Sequence, residues 1–188
     1  MRMFNILGAL LVIISTNLLA FDDKKDDNTY SNSSKYFSIS IPKDKVDNWE
    51  IITDSDKIGK ANDVVIKNKK RSGYLGIYVQ SYDLSKYNLG DLGKLAENIE
   101  NDFKGKYDNV KVKSKKEIVH KGTKEKAIEL IMNGVDKKSA GSIYHRYVIL
   151  KSESVNFTYI LGLTSLAEPE KDYKNEIDYI IGSFKAKK

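Results

Sequence analysis

The apolar residues of this chain first show a regular pattern at residue 36. Phe37, Ile39 and Ile41 fall on one side of an alternating segment, with Tyr36 and two serines on the other, which indicates a half-buried strand that ends at Pro42. Shorter apolar runs predict strands at residues 49–53 and 63–67. A longer run of Leu, Ile, Val and Tyr at residues 74–82 predicts a strand in the middle of a sheet.

Two later segments repeat apolar residues every three or four positions, which predicts amphipathic helices. The first covers residues 91–104, with Asn88 or Asp91 as its cap, and the second carries an apolar stripe from Tyr173 to Phe184. Four strands are predicted between the helices, at residues 110–120, 126–133, 143–151 and 155–165. Because short turns connect these strands, we expect them to pair antiparallel. The fold class is therefore α+β, with an antiparallel sheet flanked by helices.

The N-terminus has the pattern of a secretory signal peptide over residues 1–20: Arg2, then an apolar stretch that ends in Ala20. We expect cleavage after Ala20 and export to the periplasm, the cell envelope or the medium. The alternative is an uncleaved helix that anchors the protein, because the stretch is long enough to span a bilayer. Residues 21–35 are polar and rich in charge, Ser and Asn, which predicts a flexible linker before a single domain at residues 36–188.

Composition excludes several kinds of chemistry. The 188 residues include no Cys, so disulfides, thiolate catalysis and Cys-ligated metals are excluded. The net charge is +6, but 32 basic residues are interleaved with 26 acidic ones, and only three of the basic residues are Arg. Because bidentate Arg contacts dominate the reading of bases, we predict no nucleic-acid partner. The great excess of Lys over Arg favours a bacterial origin.

No catalytic motif is present in the sequence. A phosphate-binding loop and a Gly-x-Ser-x-Gly turn are both absent, and the two histidines, His120 and His145, lack neighbours that would complete a metal site. The sequence therefore predicts a protein that is not an enzyme and that carries no cofactor and no metal.

A basic surface is the first candidate for binding. Lys111, Lys113 and Lys115 alternate along one predicted strand, so we expect them to share a face. Such a ridge suits an anionic surface, such as lipid headgroups or wall polymers, or an acidic envelope protein. The alternative is a solvated edge strand, since Lys on an edge prevents aggregation between sheets.

An aromatic surface is the second candidate. Tyr74, Tyr78 and Tyr82 share one face of a predicted strand. Side chains of later strands extend this face: Tyr144 or His145, Tyr147 and Tyr159. The surface suits a partner or a small ligand, and the alternative is that the tyrosines pack between sheet and helix with their hydroxyls at the rim.

Two short motifs mark the two ends of the predicted domain: the opening strand from Tyr36 to Pro42 followed by Trp49, and the closing Ile180-Ile181-Gly182-Ser183-Phe184. Together they resemble the PsbP-like family, which includes bacterial exported PsbP/DcrB-like domains. The resemblance implies a PsbP-like α/β/α sandwich and a non-enzymatic accessory role in the envelope. The spacing from Pro42 to Trp49 is longer than the family pattern, and no metal-binding residue of the photosynthetic members has a match.

These observations lead to one hypothesis and one alternative. The hypothesis is an exported, non-enzymatic binding or assembly accessory domain of the cell envelope, with membrane contact peripheral at most unless the signal segment stays uncleaved. The alternative is a small-molecule or lipid carrier that uses the tyrosine-lined sheet face. The sequence leaves the oligomeric state open.

Overall fold

The computed structural model describes residues 24–26, 28–71, 74–169 and 171–187. The predicted signal peptide at residues 1–20 lies outside these residues. The strands in chain order are β1 (Lys24–Asp26), β2 (Thr29–Asn32), β3 (Phe37–Ser40), β4 (Trp49–Ile52), β5 (Val64–Asn68), β6 (Leu75–Asp83), β7 (Tyr107–Val119), β8 (Lys126–Asp136), β9 (Ser142–Ser152), β10 (Phe157–Ser165) and β11 (Lys185–Ala186). The helices are a 3₁₀ turn (Lys43–Asn48), α1 (Ser55–Ile58), α2 (Leu92–Lys106) and α3 (Lys171–Ser183).

The strands form two antiparallel sheets. The larger sheet has seven strands in the order β4-β5-β6-β10-β9-β8-β7, and the smaller has four in the order β1-β2-β3-β11. Strands β7 to β10 pair with their neighbours in sequence, as the short turns predict, whereas β10 also pairs with β6. The predicted α+β class with an antiparallel sheet and helices is confirmed.

The inner strands of the seven-stranded sheet bury side chains on both faces. In β9, Val148 and Leu150 contact one apolar cluster and Tyr147 and Ile149 contact the other. Helix α2 covers one face through residues such as Phe103. Helix α3 and the small sheet cover the opposite face. Because consecutive residues of these strands point to opposite sides, the chain needs a separate apolar cover for each face.

Helix α2 begins where the sequence predicts it. The carboxylate of Asp91 accepts a hydrogen bond from the backbone N–H of Lys94 at 2.8 Å. This bond satisfies one of the free N–H groups of the first turn, as a helix cap does. The prediction of Asp91 as a cap is confirmed.

Helix α3 is fixed to the large sheet by polar contacts as well as by its apolar stripe. The Nε2 atom of His120 lies 2.9 Å from the carbonyl of Ile181, and the indole N–H of Trp49 donates to the carboxylate of Glu176 at 2.5 Å. Arg146 on β9 forms an ion pair with Asp178 on the helix. These contacts fix the C-terminal half of the helix on this face of the sheet.

The N-terminal segment is more ordered than its composition predicts. Strand β2 pairs with β3 in antiparallel register, and Tyr30 on β2 is buried in the core beside Phe37. The expectation of a flexible linker at residues 21–35 is therefore wrong for Thr29–Asn32. A single apolar residue among polar ones carries no periodic signal, and the strand forms because β3 offers it an edge.

Among the described residues, none of the helices has the length and apolar character needed to cross a bilayer.

We predict that Gly122→Ala destabilises the fold. The β7–β8 turn approaches the end of α3 so closely that a Cβ at Gly122 would lie 2.0 Å from the carbonyl oxygen of Phe184. Because that contact is with backbone, the turn must move, and we expect a loss of about 3 kcal/mol in the free energy of unfolding measured in urea. The matched control is Gly105→Ala, where the added Cβ meets no atom within 4 Å and α2 gains roughly 0.5–1 kcal/mol. Equal stability of the two variants would contradict the packing described.

Candidate functional site

A pocket of about 240 Å³ lies between the C-terminal half of α2 and the large sheet. Its sheet side is formed by β6, β10 and β9, and its helix side by the last two turns of α2 with Tyr107, the first residue of β7. Four aromatic side chains line it: Tyr78, Phe103, Tyr107 and Tyr147. The pocket is therefore an aromatic chamber in the seam between helix and sheet.

Gly162 on β10 allows two of these tyrosines to meet. It pairs with Tyr78 on one side and with Tyr147 on the other, so the three residues form a row across the sheet. A Cβ at Gly162 would lie 2.1 Å from the Tyr78 ring, which shows that this ring lies over the glycine. A hydrogen bond joins the hydroxyls of Tyr78 and Tyr147. The missing side chain at Gly162 thus positions the floor of the pocket.

His145 on β9 continues this hydrogen-bonded row. The residue is 7% exposed, and its Nδ1 atom lies 2.9 Å from the Tyr147 hydroxyl and 3.5 Å from the Thr164 hydroxyl. The tautomer of the imidazole decides which of the two groups donates in the bond between Nδ1 and Tyr147. The other ring nitrogen, Nε2, has almost no exposed surface and no hydrogen-bond partner among the described residues. The imidazole therefore lines the pocket through other atoms of its ring.

The floor of the pocket is uncharged at neutral pH. Burial lowers the pKa of His145 to about 4, and the nearby Lys106 cation adds to this shift. Burial raises the pKa of Tyr147 to about 12, and it also raises the pKa of Tyr78 and of Tyr107. Desolvation disfavours the charged form of each group, so a neutral imidazole faces three protonated phenols.

Charged residues occur only on the helix side of this pocket. Asp102 and Lys106 lie four residues apart on α2, and both are exposed at the side chain. Residues at this spacing are neighbours on a helix surface. Their opposite charges cancel, so the pocket as a whole presents no net charge to a ligand.

The predicted aromatic face is present in part. Tyr78, Tyr82 and Tyr147 all face α2, and Tyr78 and Tyr147 line the pocket. Tyr74 precedes β6 and borders a separate depression near Arg71. Tyr144 and Tyr159 belong to the cluster on the opposite face, so the expectation that they extend the same surface is wrong. Of the two options at residues 144 and 145, the structure places His145 with the tyrosines.

The predicted basic ridge is divided between two faces of the sheet. Strand β7 has a register shift between Val112 and Ser114, where one extra residue opposes its partner strand. Because side chains alternate with a period of two, such a bulge sends the residues after it to the other face. The prediction that the three lysines share a face is therefore wrong.

The surroundings of the lysines agree with this division. The Lys115 ammonium lies 3.6 Å from the carboxylate of Glu100 on α2. Lys111 and Lys113 instead border a second pocket of about 280 Å³ that also contains Tyr144 and Glu168, on the α3 side. A single continuous basic surface is not formed by these three residues.

The residues of α2 that complete the pocket were not identified from the sequence. Phe103 has the spacing of a core residue of an amphipathic helix, and Asp102 and Lys106 have that of a solvated face. Gly162 is different, because a glycine inside an apolar strand indicates that other atoms approach the backbone closely, and this can be seen in the sequence. Within the described ranges, no three His, Asp or Glu side chains converge as a metal site would need.

The similarity of this chain to known proteins is one of fold. No protein-family model matches the sequence, and no curated protein matches it significantly. A crystal structure from Bacteroides thetaiotaomicron has a TM-score of 0.54 at 14% identity, covering 86% of this chain and 48% of that one. This chain thus spans about half the length of that protein.

Two other solved structures are similar over most of their length. LpqN of Mycobacterium tuberculosis, a protein involved in cell envelope biogenesis, has a TM-score of 0.56 at 12% identity, with 81% of this chain and 83% of that chain covered. The Ran-binding protein Mog1p of Saccharomyces cerevisiae has a TM-score of 0.50 at 8% identity, with 86% of each chain covered. At these identities the likeness shows a shared fold.

We predict that the titration of His145 makes the unfolding free energy depend on pH. Because its folded-state pKa of about 4 is below the ordinary value of roughly 6.5, its contribution to stability is complete above pH 6.5 and is lost as the pH falls toward 4. Between pH 7.5 and 4.5 the wild type should lose about 2–3 kcal/mol more unfolding free energy than His145→Phe, measured in urea. His120, whose pKa burial also lowers, is common to both proteins and cancels in the difference. Parallel pH profiles would refute the assignment of a buried neutral imidazole.

Proposed function

We propose that this chain is an exported, non-enzymatic binding domain of the bacterial cell envelope, and that it holds a small molecule in the pocket between α2 and the sheet. The observation that carries the binding role is the cavity of about 240 Å³ in the seam between helix and sheet, which is lined by aromatic rings and a few neutral polar groups. A concave, mostly apolar pocket with a small number of convergent polar groups is the usual form of a small-molecule site.

The envelope location rests on the export pattern at residues 1–20. It is supported by the similarity in fold to LpqN, the mycobacterial protein involved in cell envelope biogenesis. The opening and closing motifs also resemble the PsbP-like family. That family implies a sheet with helical layers on its two faces and an exported protein, which agrees with the fold and with the export pattern. We therefore propose membership of the PsbP-like group together with an envelope role.

The chemistry of the pocket supports binding without catalysis. A histidine with a pKa of about 4 is a weak base at neutral pH, and its Nδ1 atom contacts a phenol, where a catalytic imidazole has a carboxylate. The described residues that line the pocket include no Ser or Thr that could serve as a nucleophile, and the chain has no Cys. The side chains present can hold a ligand and orient it.

An assembly role through the lysine-rich strand β7 is the second candidate. β7 is the 13-residue edge strand of the large sheet, and its free edge offers backbone groups to a partner. Its lysines are divided between two faces, and Lys115 already pairs with Glu100. The pocket thus offers the better-defined site.

We predict that the protein isolated from the envelope carries a small molecule that native mass spectrometry detects. Ile99 lines the pocket from the half-exposed side of α2, so Ile99→Trp should fill the cavity and reduce ligand occupancy at least about tenfold. Leu166→Trp is the matched control, since Leu166 is 47% exposed and lies outside this pocket. Recovery of the protein outside the envelope, or equal occupancy in both variants, would reject the proposal.

A further inference from the structure

We infer that the pocket takes one uncharged sugar ring, either free or at the end of an envelope glycan. This inference rests on the proposed binding function and specifies the ligand class. It follows from the size of the pocket, from the kinds of surface that line it and from the distribution of charge around it.

The size of the cavity restricts the ligand to one ring. Pockets for drug-sized ligands measure about 300–1,000 Å³, and this one measures about 240 Å³. A bilayer lipid or a long acyl chain needs more enclosed space than this. A single six-membered ring suits the volume. The lining residues Asp102 and Lys106 are exposed, so the pocket is open to solvent on that side and a longer glycan can continue there.

The walls combine aromatic rings with neutral hydrogen-bonding groups. Tyr78, Tyr107 and Tyr147 each offer a ring face and a hydroxyl, and Gln80 adds an amide. The negative face of an aromatic ring attracts the weakly positive C–H groups that a pyranose presents on one side. The hydroxyls on the rim of the sugar both donate and accept, as the phenols and the amide do. A pyranose matches both kinds of surface at once.

The charge distribution disfavours ionic ligands. An anion in the pocket would lie near the Asp102 carboxylate, and a cation would lie near Lys106. An uncharged ligand meets neither penalty. It can also donate hydroxyl hydrogen bonds to the Asp102 carboxylate, which are stronger than bonds between neutral groups.

His145 helps to fix the floor of the pocket. A hydrogen bond of 2.9 Å joins its Nδ1 atom to the Tyr147 hydroxyl, and the residue is 7% exposed. The imidazole and the phenol therefore hold each other in one orientation, so the ligand meets a floor that is set before it arrives.

The test uses the fact that the chain contains two histidines. Protein labelled with ¹⁵N-histidine and purified from the envelope is titrated with methyl glucopyranoside, methyl galactopyranoside and the methyl glycoside of N-acetylglucosamine, followed by NMR of the imidazole nitrogens. We expect at least one glycoside to shift the ring nitrogen signals of His145 in a saturable way, because that ring lines the pocket. The His120 signal serves as the internal reference, because that ring is bonded to α3 on the other face of the sheet.

The ligand class is tested with charged and poorly hydroxylated analogues. Glucuronate, glucosamine and cyclohexanol should each bind at least about tenfold more weakly than the best uncharged glycoside, which corresponds to the loss of one good hydrogen bond. Equal or tighter binding of any of the three would overturn the inference. An oligosaccharide ending in the same sugar distinguishes the sources: tighter binding than the methyl glycoside indicates a glycan end, and exclusion indicates a free sugar.

Two variants separate recognition from folding. Tyr107→Phe removes a hydroxyl from the pocket wall but keeps the ring against Phe103, so it should remain folded and lose about tenfold in affinity for the glycoside. Tyr179→Phe is the matched control, since Tyr179 is 47% exposed on α3 and lies outside the pocket, and it should bind as the wild type does. Equal affinity in the two variants would overturn the sugar inference. If no glycoside shifts His145 while a ligand remains detectable by mass spectrometry, the sugar inference fails and the binding function stands; if both are absent, both fail.

Discussion

The structure depends on the burial of β9 and β10 on both faces of the large sheet. Consecutive residues such as Val148, Ile149 and Leu150 are all buried, although they point alternately to opposite sides. Each apolar side chain removed from water contributes about 1.5–3 kcal/mol, so neither face can be left open. The two helical layers and the small sheet are the consequence, because one amphipathic element can cover one face only.

The pocket arises from how one of those covers fits. Helix α2 has 15 residues, which extends it about 22 Å along the sheet. Phe103 packs against His145 on β9, whereas the row across β6, β10 and β9 consists of Tyr78, Gly162 and Tyr147 in place of aliphatic side chains. Tyrosine rings that lie across a glycine leave space above it that no aliphatic residue fills. The hydroxyls of the two tyrosines bond to each other, and the row of hydrogen bonds ends at the Nδ1 atom of His145.

Periodicity in the sequence predicts what depends on neighbouring residues along the chain. The strands near residues 74–82 and 143–151, and the helix capped by Asp91, follow from spacing and capping alone. Features that depend on distant residues do not follow from spacing. Strand β2 forms because β3 offers an edge, and Lys115 turns toward Glu100 because a bulge in β7 interrupts the alternation. Likewise, the tyrosines of β6 form a site only because β9 and α2 are brought beside them.

The identity of residue 145 is difficult to explain by stability. Its ring contacts Phe103, Tyr107 and Tyr147, with centroid distances of 4.9, 5.7 and 5.6 Å, so a phenyl ring would find apolar neighbours there. A phenyl ring would also leave no ring nitrogen without a partner and would need no depressed pKa. The imidazole keeps its neutral form at a cost to the fold, and its hydrogen bond with the Tyr147 hydroxyl holds both groups in one orientation. What histidine adds at this position is therefore a fixed polar group in the floor of the pocket, which stability alone does not require.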